Sequence, residues 1–139
     1  MTMQEAIDRI AALKPHQFTD TQLVQWLSDL DRKVWHELIR LLENTAIAEE
    51  YDEDGNPITD MPEPGPYEMV EGVTPDVTLI VPEPYSELYL HYLAAQIDYW
   101  NGEIGRYNNA MAQYNATYDS FAAAITRTHI PKRNNYVSI

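Results

Sequence analysis

The chain has 139 residues, is 45% hydrophobic, carries a formal net charge of −13 from 22 acidic and 9 basic side chains, and contains no cysteine. The apolar share suits one folded domain rather than disorder throughout, and the lack of cysteine excludes disulfides and thiolate chemistry. Charge of this sign excludes docking on nucleic acid through a basic patch.

Helix signals come first. Thr2 and Glu5 are spaced as a capping box ahead of an apolar stripe of Met3, Ile7 and Ile10. Lys14-Pro15 ends that helix, because proline disfavours the helical region for the residue before it. The opening MTMQEAIDRI lacks the apolar core of a signal peptide, and no segment approaches the roughly 20 apolar residues that span a bilayer. The expectation is a soluble chain without a membrane partner. A second capping box, Thr19 with Gln22, is flanked by Phe18 and Leu23 as a hydrophobic staple. From there Leu23, Leu27, Leu30, Val34, Leu38 and Leu41 recur at fours and threes, which predicts one long helix to about Thr45 with Trp26 and Trp35 beside the stripe.

Residues 46–82 differ in kind. They hold six of the nine prolines and ten of the 22 acidic residues, including Glu49, Glu50, Asp52, Glu53, Asp54 and Asp60. Asp54-Gly55 is a tight-turn dipeptide, so Ile47 to Tyr51 and Pro57 to Met61 are expected to form a small exposed β-hairpin. Val77 to Val81 is β-prone and is a candidate for a further strand. The charge asymmetry extends beyond this loop: between Leu41 and Gly105 there are fifteen acidic residues and neither lysine nor arginine.

Helix pattern resumes at Pro84, acceptable in a first turn. Tyr85, Leu88, Tyr92, Ala95 and Tyr99 make one stripe, with Tyr89, Leu93, Gln96 and Trp100 beside it, as in a helix held between neighbours. Asn101-Gly102 caps it, and a heptad-like seam follows in Ile104, Tyr107, Met111, Tyr114, Tyr118, Phe121 and Ile125. The short link predicts an antiparallel helical hairpin. The ten tyrosines suit either subunit interfaces or a half-wet core. The fold class expected is thus mainly α: a small bundle of about four helices, with a long antiparallel hairpin in its C-terminal half. Residues 1–127 form one helical domain carrying the acidic loop or β-hairpin insertion at 46–82, and residues 128–139 form an extended basic and apolar tail.

Signatures of catalysis are missing. His16, His36, His91 and His129 are scattered, and His36-Glu37 opens a zinc-protease pattern whose second histidine position is Arg40. Asp52, Asp54 and Gly55 suggest a calcium loop, but the closing glutamate position is Met61 and Pro57 disrupts the pattern. Asn115-Ala116-Thr117 matches a glycosylation acceptor yet falls within a helical stretch. The abundant carboxylates lie where no rigid shielded pocket is expected, and general acid–base work needs one. Neither an enzyme, nor a cofactor, nor a metal site is expected.

The run from Leu79 to Ala123 carries Pro82-x-Pro84-Tyr85, Glu87-Leu88-Tyr89, Ile97-Asp98-Tyr99, Asn101-Gly102-Glu103, Arg106-Tyr107-Asn108-Asn109 and the Tyr114 to Phe121 helix. With the opening KPHQFTDTQLVQWLSDLD, this pattern resembles the head–tail connector proteins, also called adaptor or head-completion proteins, of long-tailed bacteriophages and prophages. The resemblance covers most of the chain, the acidic loop least, and rests on composition rather than on a catalytic signature. It implies a helical virion protein at the capsid vertex, assembled in the host cytoplasm as a ring, commonly twelve-fold, beneath the portal. It also implies neighbouring copies, the portal and the next tail or stopper protein as partners, with DNA passing through the lumen without specific binding. On that reading Thr128, His129, Ile130, Lys132, Arg133, Tyr136 and Ile139 contact the portal, and Glu49, Glu50, Asp52, Glu53, Asp54 and Asp60 face the lumen or the tail.

Plainer readings stand beside these: the tail as a frayed terminus and the acidic loop as a solvated insertion. The alternative function is an acidic DNA mimic or inhibitor that occupies the basic groove of a nucleic-acid enzyme. It needs carboxylates displayed on rigid elements, whereas ten of the 22 here lie in a proline-rich loop.

Overall fold

In a computed structural model describing residues 1–132, both capping boxes start helices where the sequence places them. Thr2 Oγ1 accepts the Glu5 N–H at 3.1 Å to open α1 (Met3–Leu13), and Lys14, in extended conformation ahead of Pro15, closes it. Thr19 Oγ1 accepts the Gln22 N–H at 3.2 Å to open α2 (Asp20–Glu37). Phe18 stacks edge-on against Trp26, with ring centroids 5.1 Å apart, and fixes the entry to α2.

α2 is shorter than expected. Leu38 departs from helical geometry, and Ile39–Leu41 forms a single 3-10 turn instead of continuing toward Thr45. The turn changes which side chains face inward: Ile39 and Leu42 are buried, whereas Leu41, the last member of the predicted stripe, is 49% exposed. It also frees the Leu41 carbonyl and the Glu43 N–H, which pair with Lys132 N–H and the Ile130 carbonyl, each at 2.8 Å. Those partners come from the other end of the chain, so no local pattern announced them.

Among the described residues no strand forms. The expected hairpin closes around a single bridge between Tyr51 and Pro57, with Ile58 N–H donating to the Glu50 carbonyl at 2.8 Å. Val77 to Leu79 runs along the start of the chain, with Met3 N–H donating to the Val77 carbonyl at 2.9 Å and Leu79 N–H to the Met1 carbonyl at 3.0 Å, and the backbone bends at Ile80 and Val81. Leu79, Ile80 and Val81 are buried. The segment is core filling: its side chains pack among the buried residues of the helices, and its one backbone bridge, Thr78 to Thr2, is to that short terminal stretch.

α3 (Glu87–Trp100) starts three residues after Pro84, because Pro82 to Tyr85 is a tight turn in which Tyr85 N–H donates to the Pro82 carbonyl at 2.9 Å. After Gly102, whose φ of +74° suits glycine, α4 (Ile104–Thr128) returns antiparallel along α3. Three aromatic rungs hold the pair: Tyr99–Tyr107 at 5.5 Å, Tyr92–Tyr114 at 5.6 Å and Tyr85–Phe121 at 5.7 Å between ring centroids. Successive rungs step seven residues along each arm of the hairpin in opposite directions, the spacing of an antiparallel seam, with Tyr85 in the turn just before α3. The molecule is therefore mainly α, a small four-helix bundle with a long C-terminal helical hairpin, and its core lies between α1, α2, α3 and residues 79–81.

A polar centre sits inside that core. Asp31 on α2 is fully buried and accepts hydrogen bonds from the Tyr89 hydroxyl, from the Tyr67 hydroxyl at 2.9 Å and from Ile80 N–H at 3.2 Å. The Tyr89 oxygen in turn accepts Val81 N–H at 2.8 Å, and Ser28 Oγ accepts Tyr67 N–H at 2.9 Å. Burial pushes the Asp31 carboxyl up to about 6, the three donors only partly offsetting the lost hydration.

The native state therefore holds this proton more tightly than the unfolded chain. The associated stability is complete below the ordinary carboxylate value near 3.8 and is lost as pH rises through about 6. At roughly 1.4 kcal/mol per unit, Asp31 lowers stability by about 2 kcal/mol between pH 4 and pH 7. Urea denaturation of wild type and Asp31→Asn at both pH values measures this difference, and the variant lacks that component of the slope. The rungs give a second expectation. Tyr114 is buried, with a hydroxyl that has no hydrogen-bond partner among the described residues. Tyr114→Phe leaves the unfolding midpoint unchanged or raises it, whereas Tyr114→Ala costs about 3–5 kcal/mol.

Candidate functional site

Three exposed features are candidates for contact with other molecules, and each is set by a local structural cause. The first is the acidic hairpin tip. Asp52 Oδ1 accepts both Asp54 N–H at 3.0 Å and Asn56 N–H at 2.9 Å, and Gly55 takes φ +80° to complete the turn. Glu49, Glu50, Asp52, Glu53 and Asp54 are all exposed there, and none is ion-paired with a described residue. Asp60 does not join them. Its two carboxylate oxygens take Asn44 N–H at 3.0 Å and Lys132 Nζ at 3.3 Å, so it links the base of the hairpin to the C-terminal segment.

The second feature is that C-terminal segment. Thr128 is the last residue of α4 rather than the start of a tail, and the His129 ring lies 3.0 Å from the Ile125 carbonyl through Nδ1. Residues 130–132 then run antiparallel to 41–43, bridged at Leu42 and Pro131. Ile130 points outward at 67% exposure. Arg133, Tyr136 and Ile139, also expected to contact a partner, lie outside the described residues.

The third feature has no counterpart among the sequence-based expectations. α4 has 25 residues against 14 in α3, so its last two turns pass beyond the start of α3. There Phe121, Ala124, Ile125 and Thr128 face Ala46, Ile47 and Met61 across an apolar groove of about 320 Å³ floored by Ile39 and Ile80. A smaller recess of about 160 Å³ adjoins it, sharing Ala46, Ile47 and Met61 and reaching Glu50. The signal was present in the sequence as an apolar seam reaching Ile125, one step past the last aromatic rung.

At the opposite end of the hairpin, Tyr99, Trp100 and Ile104 are exposed. That end is tied to the connection between α1 and α2 by Lys14 Nζ on the buried Asp98 carboxylate at 2.7 Å and by Gln17 Nε2 on Asn101 Oδ1 at 2.9 Å. The outer face of α4 is unlike the rest of the surface: from Tyr107 to Thr126 its only charge is Asp119. Of the whole helix only Tyr114 and Phe121 are buried.

Of the histidines, His36 lies beside Glu63, Nε2 to Oε1 at 2.9 Å, with Arg32 at 3.3 Å. These two neighbours, His36 foremost, hold the exposed Glu63 carboxyl below its usual range. Among the described residues no group of three or more His, Cys, Asp or Glu side chains is placed to hold a metal ion, and no helix is long and apolar enough to cross a membrane. No family model, no curated protein and no solved structure matches the chain.

The turn at the tip depends on one side chain. Replacing Asp52 with alanine removes an acceptor worth about 1 kcal/mol and speeds amide exchange at Asp54 and Asn56 about fivefold. Global stability is unaffected, and hydrogen exchange read by NMR distinguishes the two.

Proposed function

We propose that this chain is a structural connector subunit of a long-tailed bacteriophage, acting through its surfaces rather than through catalysis or a cofactor. In this reading copies form a ring beneath the portal at the capsid vertex, commonly twelve-fold, and the ring receives the next tail protein and lets DNA pass. The observation that carries it is the segregation of charge. Five carboxylates with no ion-pair partner among the described residues project on an ordered hairpin, while the 25-residue helix α4 buries one side and presents an almost uncharged face on the other. An acidic surface repels phosphate and keeps DNA from adhering, the inverse of binding through counterion release. A face nearly free of charge is where copies of a chain of net charge −13 approach with least mutual repulsion.

Residues 130–132 are engaged with the body, so the portal contact falls to the exposed Ile130 and to Arg133, Tyr136 and Ile139. The DNA-mimic reading draws its support from the Asp52-organised turn, which gives the carboxylates a defined arrangement. Cryo-electron microscopy of this chain co-expressed with a portal protein separates the two. A ring under the portal with the hairpins turned to the channel is the expected result. A monomer that ignores portal and forms a salt-sensitive complex with a basic nucleic-acid enzyme overturns it. Removal of residues 133–139 leaves the fold intact and abolishes portal attachment; a truncated chain that still attaches refutes the role of the C-terminal segment.

A further inference from the structure

The groove beyond the start of α3 has a chemistry that the ring reading does not use. Its walls are apolar on both sides, Phe121 and Ile125 from α4 facing Ala46, Ile47 and Met61 from the loop. Ile47 lines both the groove and the adjoining recess and is 72% exposed, so a large apolar side chain stands in solvent at the junction of two apolar depressions. Exposed apolar surface arranged as a concavity is the usual form of a peptide-docking site.

Charge identifies the kind of segment that fits. The recess opens at Glu50, and Glu49, Asp52, Glu53 and Asp54 continue along the same hairpin, exposed and unpaired with any described cation. Among the described residues, the basic side chains nearby are committed or peripheral. Lys132 is held by Asp60, the His129 ring is engaged with the Ile125 carbonyl and Thr128, and Arg127 is exposed on the last turn of α4. An apolar slot that runs into a row of exposed carboxylates repels phosphates and acidic chains and attracts cations. We propose that this groove docks a segment of a partner protein that carries apolar anchor side chains next to lysine or arginine. The apolar side chains enter the groove and recess on either side of Ile47, and the cations lie along the hairpin. The inference stands whether or not the chain forms a ring.

The test uses the full chain in solution without portal. A fluorescein-labelled 12-residue peptide of alternating leucine and lysine is titrated by fluorescence anisotropy, with the leucine/glutamate counterpart as control. Saturable binding of the lysine peptide alone is expected, weakened at least tenfold by Ala124→Trp, which fills the groove. It is weakened about threefold by the double change Glu49→Gln and Glu50→Gln. Ile47→Asn, at an exposed position that cannot unfold the core, weakens it as well and keeps the test valid if Ala124→Trp fails to fold. Equal binding of both peptides overturns the proposal, as does lysine-peptide binding indifferent to Ala124→Trp and Ile47→Asn, which is attraction to the acidic field alone. Light scattering that shows a dimer lost in Ile47→Asn assigns the groove to a second copy and overturns it too. So does peptide binding that appears only once residues 133–139 are removed, which assigns the groove to this chain's own terminus.

Discussion

A single buried carboxylate organises the molecule. Asp31 lies in the middle of α2, and its hydrogen-bond donors come from α3, through Tyr89, and from two separate points of the long loop, Tyr67 and Ile80. A carboxylate removed from water is unfavourable unless donors surround it, so its position is tolerable only when all three elements arrive together. The loop that joins α2 to α3 has no strand to order it, yet it is clamped along α2 by this centre and by further bonds. Trp35 Nε1 donates to the Met61 carbonyl at 2.9 Å, and Met61 N–H to Thr45 Oγ1 at 2.9 Å. Gly65, at φ +64°, brings the backbone so close to α2 that a Cβ there would lie 3.2 Å from Ser28 Oγ. The polar centre thus couples the helices to a segment that hydrophobic periodicity alone leaves unplaced.

The C-terminal hairpin follows a different rule. Its aromatic rungs pair residues of equal spacing on helices of unequal length, so the match must run out at one end. α3 stops short, α4 continues, and the apolar seam that serves α3 up to Phe121 then faces the loop around Ala46 and Ile47. The same mismatch places the 130–132 segment against residues 41–43, just beyond α2. Groove, C-terminal segment and hairpin base are in this sense one consequence of the extra turns of α4.

Electrostatics divides the surface rather than building the fold. The described ion pairs are few and mostly exposed, and such pairs contribute little to stability. Lys14 on Asp98 is the exception, since the carboxylate is buried and its loss of a partner would be felt. Most of the remaining acid is exposed and acts outward. On the hairpin it does so from a turn that Asp52 holds in shape, so the field has a fixed origin relative to the groove beside it.

The elements written in short-range patterns are legible from the amino-acid sequence by itself. Thr2 and Thr19 cap α1 and α2, Asn101-Gly102 separates α3 from α4, and the stripe from Tyr107 to Ile125 gives α4 its inward face, because capping and helical periodicity act over four to seven residues. The acidic tip from Glu49 to Asp54 is legible too, since a run of carboxylates around Asp54-Gly55 has little alternative to an exposed turn. What the sequence hides are the contacts between distant segments. The turn at Ile39–Leu41, the burial of Leu79 to Val81 without a sheet, the capture of Asp60 by Lys132 and the groove beyond α3 each depend on residues many positions away. Local propensity sets where helices begin, but which backbone groups and apolar side chains meet once they pack is decided by the whole core closing at once, and only the tertiary structure records that outcome.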